Sequence, residues 1–563
     1  MVLKQFFIFL LLVLSISIVS YLYVGTGAIG IDDGNIFLNY AHHLAHGDGF
    51  VFNKNGERVE GFTSFLWVLV CSIFYLLTAH PEILLICFSL LLTTLTVTFV
   101  FRSIKASIEK IYPQFARYFF WLYCAFIITI GSSFITWSVL SLMENALWNF
   151  VFISLVILTS STVEPGKISI LKKICIVIAG CVLMLTRPEA LVWNLVFACI
   201  LLYTFLQNKR KIFYPLAYIL CTNSIAIGLT IFRSYYFGFR FPNTYYAKIS
   251  PDKIYNLTEG VKYGLNFLTG YQPVITFLFV LMTITLLYSI FKLKVITAGN
   301  ESLPESNVIK KFCIITVVML IGFVLPCTTG GDHFGGFRFY QDLLLLFAWG
   351  ILMILWLFKN YNNYKKDIKW IGLSTVIFFF LIIGLNNLID LKNPAKTQLN
   401  FEFLLAQDGR ILADKFNKAL PEKRPSVGMI AVGGFGLIYE GETVDLMGLN
   451  NTLMGHSPGD RKGIKNHAAF NKDVFYQLNP DILLPENINN IKEAEIKYCG
   501  LLDVNNFDNQ AMKNIFNDAD FKKFYSPVFI ADRKNSANFF AFVNNNFINS
   551  LKRISDLEVQ EIH

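Results

Sequence analysis

Charge is scarce in this chain. Only 15% of its 563 residues are Asp, Glu, Lys or Arg, against 54% that are hydrophobic, which lies far from the balance of a soluble globular protein. A disulfide framework is lacking too: nine of the ten cysteines lie in or beside apolar segments, and Cys499 alone falls in the polar tail. No internal repeat is visible, as a transporter built from repeated halves would show. The net charge of +9 does not announce a nucleic-acid partner, because Lys and Arg occur in short clusters between apolar spans, where they report membrane topology. The glycine-rich stretch Gly330 to Arg338 lacks the lysine and spacing of a phosphate-binding loop for nucleotides.

What is present is a series of long apolar runs. Eleven approach the ~20 residues needed to cross a bilayer: Phe6 to Val24, Ile83 to Phe101, Ala116 to Ile135, Leu147 to Ser160, Ile174 to Thr186, Ala190 to Leu206, Phe213 to Phe232, Val274 to Phe291, Phe312 to Cys327, Asp342 to Phe358 and Trp370 to Leu385. The first is longer than a signal-peptide core and reads as a retained helix. A twelfth run, Ser64 to Thr78, decides the orientation. If it lies in the interface rather than crossing, the basic clusters at Arg102/Lys105/Lys110, Lys167/Lys172/Lys173, Lys209/Arg210/Lys211, Lys292/Lys294/Lys310/Lys311 and Lys359/Lys365/Lys366/Lys369 all share the cytoplasmic side. The positive-inside rule selects that arrangement, with the C-terminal tail outside. The expected fold is a polytopic α-helical membrane protein of about 11 spans plus juxtamembrane helices, over residues 1–386 with a first outer loop at 25–81. A soluble outer-face α/β domain is expected at 387–563, with strands at Val427 to Val432, Val444 to Met447, Ile482 to Leu484 and Val528 to Ala531.

On this topology the unusual polar residues gather on one face. Asp32 and Asp33, a few residues past the first span, precede an amphipathic run expected to lie flat in the outer interface. One carboxylate is explained by helix capping; two suggest a general base with a neighbour that binds a cation or orients the acceptor. Arg187, Pro188 and Glu189 end the short run Ile174 to Thr186, so polar backbone is expected at membrane depth, lining a cavity. The segment Arg233 to Lys248 mixes three cations with many aromatics, which suits an anionic lipid head bearing a sugar as well as an interfacial aromatic belt. Asp332 and His333 do not make a metal site by themselves. The Gly433-Gly434-Phe435-Gly436 stretch reads as a turn.

Taken together these motifs resemble a known family, the polyprenyl-phosphate-sugar-dependent GT-C glycosyltransferases, and within it the group of the mycobacterial cell-wall terminal arabinofuranosyltransferase and its bacterial relatives. The likeness rests on Asp32-Asp33 with Tyr40, Gly47-Asp48-Gly49, Asn53, the run Glu57 to Ser64 with Trp67, Trp137 with Met143-Glu144, and Arg187-Pro188-Glu189. It continues through Pro242 to Lys248, Gly330-Gly331-Asp332 with Arg338, and Asp445 to Leu449. Phe65 and Leu142 depart from the pattern, where proline and glycine are common, and this bears on the substrate.

The resemblance implies an inverting transferase, hexosyl or pentosyl, of the bacterial cytoplasmic (inner) membrane. It would move a sugar from a polyprenyl-phosphate donor to a glycan or glycolipid acceptor of the cell envelope on the outer, periplasmic face. The base falls on Asp32 or Asp33, with a slight preference for Asp32. Arg187, Lys248 and Arg338 would meet the donor phosphate. Tyr40, Glu60, Thr63, Ser64, Trp67, Glu144, Glu189, Asn243, Tyr246, Asp332 and His333 would contact substrate or acceptor. No cofactor is required by the likeness; a divalent cation, if one is used, would be held by Asp32, Asp33 and Asp332. The alternative class is a flippase or transporter of lipid-linked sugars, which also needs phosphate-binding cations but places them near the bilayer midplane.

Overall fold

A computed structural model of the protein describes residues 2–25, 30–111, 113–296, 304–360, 366–390, 398–421 and 424–562. Positions 26–29 of the first outer loop lie outside them, as do, wholly or by their side chains, the basic residues Lys292, Lys294, Lys359, Lys365, Lys366 and Lys369. Each of the eleven apolar runs falls on helix. Among the described residues, eight helices are long and apolar enough to cross a membrane, and nine if the bent pair Tyr118–Gly131 and Ser133–Leu140 is one span. The protein is therefore a polytopic helical membrane protein, and its lipid-facing surfaces carry exposed Leu, Ile and Phe as a bilayer requires.

The helix Ile170–Met184 has 15 residues, about 22 Å at 1.5 Å per residue, and falls short of a core of roughly 30 Å. The chain then runs through Arg187 and Pro188 before the next helix, Ala190–Gln207, begins. The helix Phe65–Tyr75 has 11 residues and is too short to cross. It packs instead against the helix Asp32–Ala45.

That acidic helix is more deeply covered than its one-sided apolar pattern suggests. Asp32 and Gly34 through Ala41 are all buried, so it is covered on nearly every face rather than on one. The additional cover comes from the C-terminal part of the chain, through the helices Gln398–Ala419 and Gly433–Ile438. Arg410 clamps the contact, donating from Nε to Asn35 Oδ1 at 2.7 Å and from Nη1 to Glu82 Oε1 at 2.9 Å.

The C-terminal α/β domain is built on a six-stranded mixed sheet. Its strands are β1 (Val427–Met429), β2 (Thr443–Asp445), β3 (Ile482–Asn487), β4 (Tyr525–Asp532), β5 (Ala537–Asn544) and β6 (Leu557–Glu561), in spatial order β2-β1-β3-β5-β4-β6. β1 pairs in parallel with β2 and β3, and the other pairings are antiparallel. The parallel edge carries the loops that face the membrane helices: Asn53, which follows the helix Asp32–Ala45, donates to the Thr443 carbonyl at 3.0 Å and accepts from its N–H at 2.9 Å. The glycines after β1 are not the expected turn. They open the short helix Gly433–Ile438, and only glycine fits there, because a Cβ at 433 would overlap the Asp32 carbonyl and one at 434 the Ala406 carbonyl.

Candidate functional site

Asp32 and Asp33 are neighbours in sequence and point to different partners. Their own helix starts after Ile31 with no side-chain cap. Asp32 caps a different helix: Oδ2 accepts the Gly433 N–H at 3.0 Å and Oδ1 the Gly434 N–H at 2.8 Å. A carboxylate on two amides that lack a partner within their own helix is a charge-assisted anchor. Burial nonetheless pushes the Asp32 carboxyl up to about 6, with the two amide bonds opposing it and the Asp33 charge adding to it.

Asp33 turns into a cavity of about 460 Å³ between the membrane helices and the C-terminal domain. Its Oδ2 lies 3.7 Å from Lys248 Nζ and 3.5 Å from Arg338 Nη1. Burial alone would raise the Asp33 carboxyl, but the Lys248 and Arg338 charges outweigh it and hold the group below the usual carboxylate range, ionised at neutral pH. Lys248 ends the six-residue helix Asn243–Lys248. Arg338 follows Phe337, whose φ of +53° turns the chain back on itself, and its guanidinium also sits 2.8 Å from Asp332 Oδ2 as a charge contact off the hydrogen-bond axis.

Asp332 is buried behind Arg338. Burial works to raise its carboxyl, yet Arg338 and the hydrogen bond from His333 overcome it and hold the group far below the ordinary range. Its Oδ1 also accepts from Asn466 Nδ2 at 2.9 Å. With the oxygens of Asp32 on backbone amides and those of Asp332 on Arg338 and Asn466, the trio Asp32, Asp33 and Asp332 does not fit a divalent cation. Among the described residues no group of three or more His, Cys, Asp or Glu is arranged to hold one.

The opposite wall carries Arg187, whose Nε lies 3.2 Å from Glu144 Oε1 and 3.1 Å from Glu189 Oε1. Its guanidinium also lies 5.4 Å from the Trp148 ring and 5.5 Å from Phe339. Thr63, Glu144 and Glu189 line the cavity with Arg187, Lys248, Arg338 and Asp33.

The remaining predicted site residues are engaged in structure. Tyr40 is fully buried, its hydroxyl accepting the Gly61 N–H at 3.1 Å. Ser64 caps the helix Phe65–Tyr75 by accepting from Trp67 N at 3.3 Å, and Trp67 Nε1 donates to the Leu142 carbonyl at 2.9 Å. Glu60 is locked to Arg233 in a buried pair at 2.8 Å. Asn243 Nδ2 donates to the Gly448 and Leu449 carbonyls at 2.7 and 3.0 Å, while Tyr246 stacks on His456 with centroids 4.1 Å apart. Asp445 shapes that loop by accepting from the N–H groups of Met447, Gly448 and Asn450. His333 sits 2.8 Å from the Asn466 side chain. None of these predicted residues lines the cavity; Asn243, Tyr246 and His333 tie the membrane part to the C-terminal domain, and Tyr40, Glu60, Ser64 and Trp67 brace the membrane part itself.

Four groups escaped the sequence reading. Asp342 lines the cavity and accepts from Trp148 Nε1 at 3.2 Å; a charge opening an apolar run was its one signal. Lys465 and Asn466 reach the cavity from the C-terminal domain with no local motif. Glu402, on Gln398–Ala419, is pushed up to about 8 by burial and by the Asp33 and Asp32 charges, so it stands protonated beside them at neutral pH.

No family model matches the sequence, and no curated protein matches it. Among solved structures the chain is similar to the archaeal oligosaccharyltransferase AglB from Archaeoglobus fulgidus in complex with an inhibitory peptide and a dolichol-phosphate, at 11% identity and a TM-score of 0.44 over 96% of this chain and 74% of that one. It is also similar to ArnT from Cupriavidus metallidurans bound to undecaprenyl phosphate, at 11% identity and a TM-score of 0.46 over 77% of this chain and 85% of that one. Likenesses at this level assign neither a reaction nor a residue role.

Proposed function

We propose that this protein is an inverting GT-C glycosyltransferase that moves a hexosyl or pentosyl group from a polyprenyl-phosphate carrier to a glycan or glycolipid acceptor. The reaction takes place at the outer face of a bacterial cytoplasmic membrane, with the cavity and the C-terminal domain facing outward. The observation that carries this reading is one ionised carboxylate, Asp33, held against two cations, Lys248 and Arg338, in a cavity at the junction of membrane helices and soluble domain.

The chemistry follows from that triplet. Asp33 takes the proton from the acceptor hydroxyl as its oxygen bonds to the anomeric carbon. The bond from that carbon to the carrier phosphate breaks, and the electron pair leaves with the phosphate. Phosphate is already a good leaving group, so the demands are a base and a positive field for the departing charge. Lys248 and Arg338 supply the field. When phosphate draws them away from Asp33, the carboxylate loses two stabilising charges and becomes a stronger base. Asp32 does not take the proton in this scheme; its oxygens are committed to Gly433 and Gly434. Arg187 with Glu144, Glu189 and Thr63 forms the opposite wall, suited to the hydroxyls of a sugar.

The departures at Phe65 and Leu142 leave the donor sugar open between a pentose and a hexose. Incubating the purified protein with a panel of synthetic polyprenyl-phosphate pentoses and hexoses and membrane glycolipid acceptors, followed by mass spectrometry of the products, tests the reading. Sugar transfer with inversion supports it; movement of the intact lipid-linked sugar across the bilayer without transfer would replace it with the transporter reading.

A further inference from the structure

The segment 460–467 of the C-terminal domain enters the cavity between two anchors. At one end Arg461 is buried, with Nε donating to the Tyr246 carbonyl at 3.1 Å and Nη2 to the Gly455 and Ser457 carbonyls at 2.9 and 2.6 Å. At the other, Asn466 takes a φ of +65° and donates to Asp332 Oδ1 at 2.9 Å. The loop is thus fastened to the two polar segments that also present Lys248 and Arg338.

Lys465 lies between these anchors and lines the same cavity as those cations. Its Nζ rests over Gly330, whose φ is +89° and where any Cβ would overlap the ammonium group. Lys248 and Arg338 have Asp33 and Asp332 as ion-pair partners, whereas Lys465 has none among the described residues. Burial accordingly pulls its pKa below the ordinary lysine value, and the Asp332 and Glu259 charges only partly offset this. A half-buried ammonium group that has given up water without gaining a counter-ion carries a desolvation cost that an incoming anion would relieve.

We propose that Lys465 is a donor-binding residue, the third cation of the phosphate cradle formed with Lys248 and Arg338, so that the C-terminal domain builds part of the donor site. This rests on the reading that the donor is a lipid phosphate, and it gives the C-terminal domain a part in binding the carrier. A solvated lysine tracking the Asp332 charge would have been left exposed; this one is held by a loop pinned on both sides.

The test is binding of undecaprenyl phosphate, and separately of inorganic phosphate, to the purified full-length chain. Wild type is compared with Lys465→Met, Lys465→Gln, Lys465→Arg and, as a neighbouring-charge control, Lys462→Met. Loss of one charge-assisted hydrogen bond predicts affinity for the lipid phosphate about tenfold lower in the Met and Gln variants. Lys465→Arg and Lys462→Met should remain close to wild type, and the unliganded melting temperatures should be unchanged. Loss for both ligands means the phosphate group alone is recognised, and loss for the lipid only means that it is recognised together with its chain; both support the proposal. Equal lipid binding by wild type, Lys465→Met and Lys465→Gln overturns the proposal and leaves the glycosyltransferase reading standing. Failure of the wild type to bind any lipid phosphate overturns both.

Discussion

The Asp32 carboxylate receives the Gly434 N–H at 2.8 Å across a separation of 402 residues, and this single contact divides the work of the acidic pair. Asp32 is occupied holding the C-terminal domain to the acidic helix, which leaves Asp33 as the carboxylate that faces the cavity. Asp32→Ala should leave two buried amides without a partner, at about 1–3 kcal/mol each. The expected result is a lower melting temperature in detergent. Gly434→Ala should produce the same loss by overlap with Ala406.

The same carboxyl gives the stability a pH dependence of known sign. Its pKa is raised from 3.8 to about 6 in the folded protein, so the folded state binds the proton more tightly than the unfolded chain. Stability from this group is full below pH 3.8 and is lost as pH rises through about 6. Thermal melts of wild type and Asp32→Asn from pH 4 to 7 should show a downward slope in the wild type that the variant flattens.

Glu402 extends that window upward. Its carboxyl, pushed from 4.5 to about 8, contributes stability that disappears as pH climbs through 8. Glu402→Gln should therefore melt higher than wild type at pH 9 and equal to it at pH 6, with transfer at neutral pH unchanged within a few-fold.

The Glu60–Arg233 pair joins the segment before the helix Phe65–Tyr75 to the end of the helix Phe213–Tyr236, and both side chains are at least nine-tenths buried. Removing one partner strands the other, a change expected to cost about 3–5 kcal/mol. Glu60→Gln should sharply reduce the yield of folded protein, whereas the double variant Glu60→Gln/Arg233→Met should recover part of it. Quantifying the monodisperse fraction by size-exclusion chromatography distinguishes these outcomes.

Much of this architecture was legible in the sequence because the forces that set it are local. Apolar runs become helices wherever backbone groups must be satisfied inside a bilayer, and the side on which the basic clusters gather sets Ser64 to Thr78 aside as an interfacial run. Asp33, Glu144, Arg187 and Arg338 could be singled out because each breaks an otherwise apolar context near a predicted span end, and Lys248 because it closes the segment rich in cations and aromatics. The hidden part depends on tertiary contact. Nothing local distinguishes Asp32 from Asp33 until Gly433 and Gly434 arrive to occupy one of them. Glu60, Tyr40, Trp67 and Asn243 carry polar groups in the same motifs as the cavity residues, yet each is turned to a structural partner, which spacing cannot reveal. Strands β5 and β6 and the residues Lys465 and Glu402 lie in a stretch whose alternation is ordinary for any α/β domain. Only the docking of that domain against the membrane helices gives them meaning.

In the proposed mechanism Asp33, and not Asp32, takes the acceptor proton. The direct measurement is the single-turnover rate of sugar transfer from a polyprenyl-phosphate sugar by folded wild type, Asp33→Asn and Asp32→Asn at equal donor occupancy. The predicted result is a loss of about 10²–10⁴-fold in Asp33→Asn, the usual contribution of a general base, with only a modest loss in Asp32→Asn. Transfer by Asp33→Asn at the wild-type rate, or a collapse confined to Asp32→Asn in a protein that melts normally, would contradict the account.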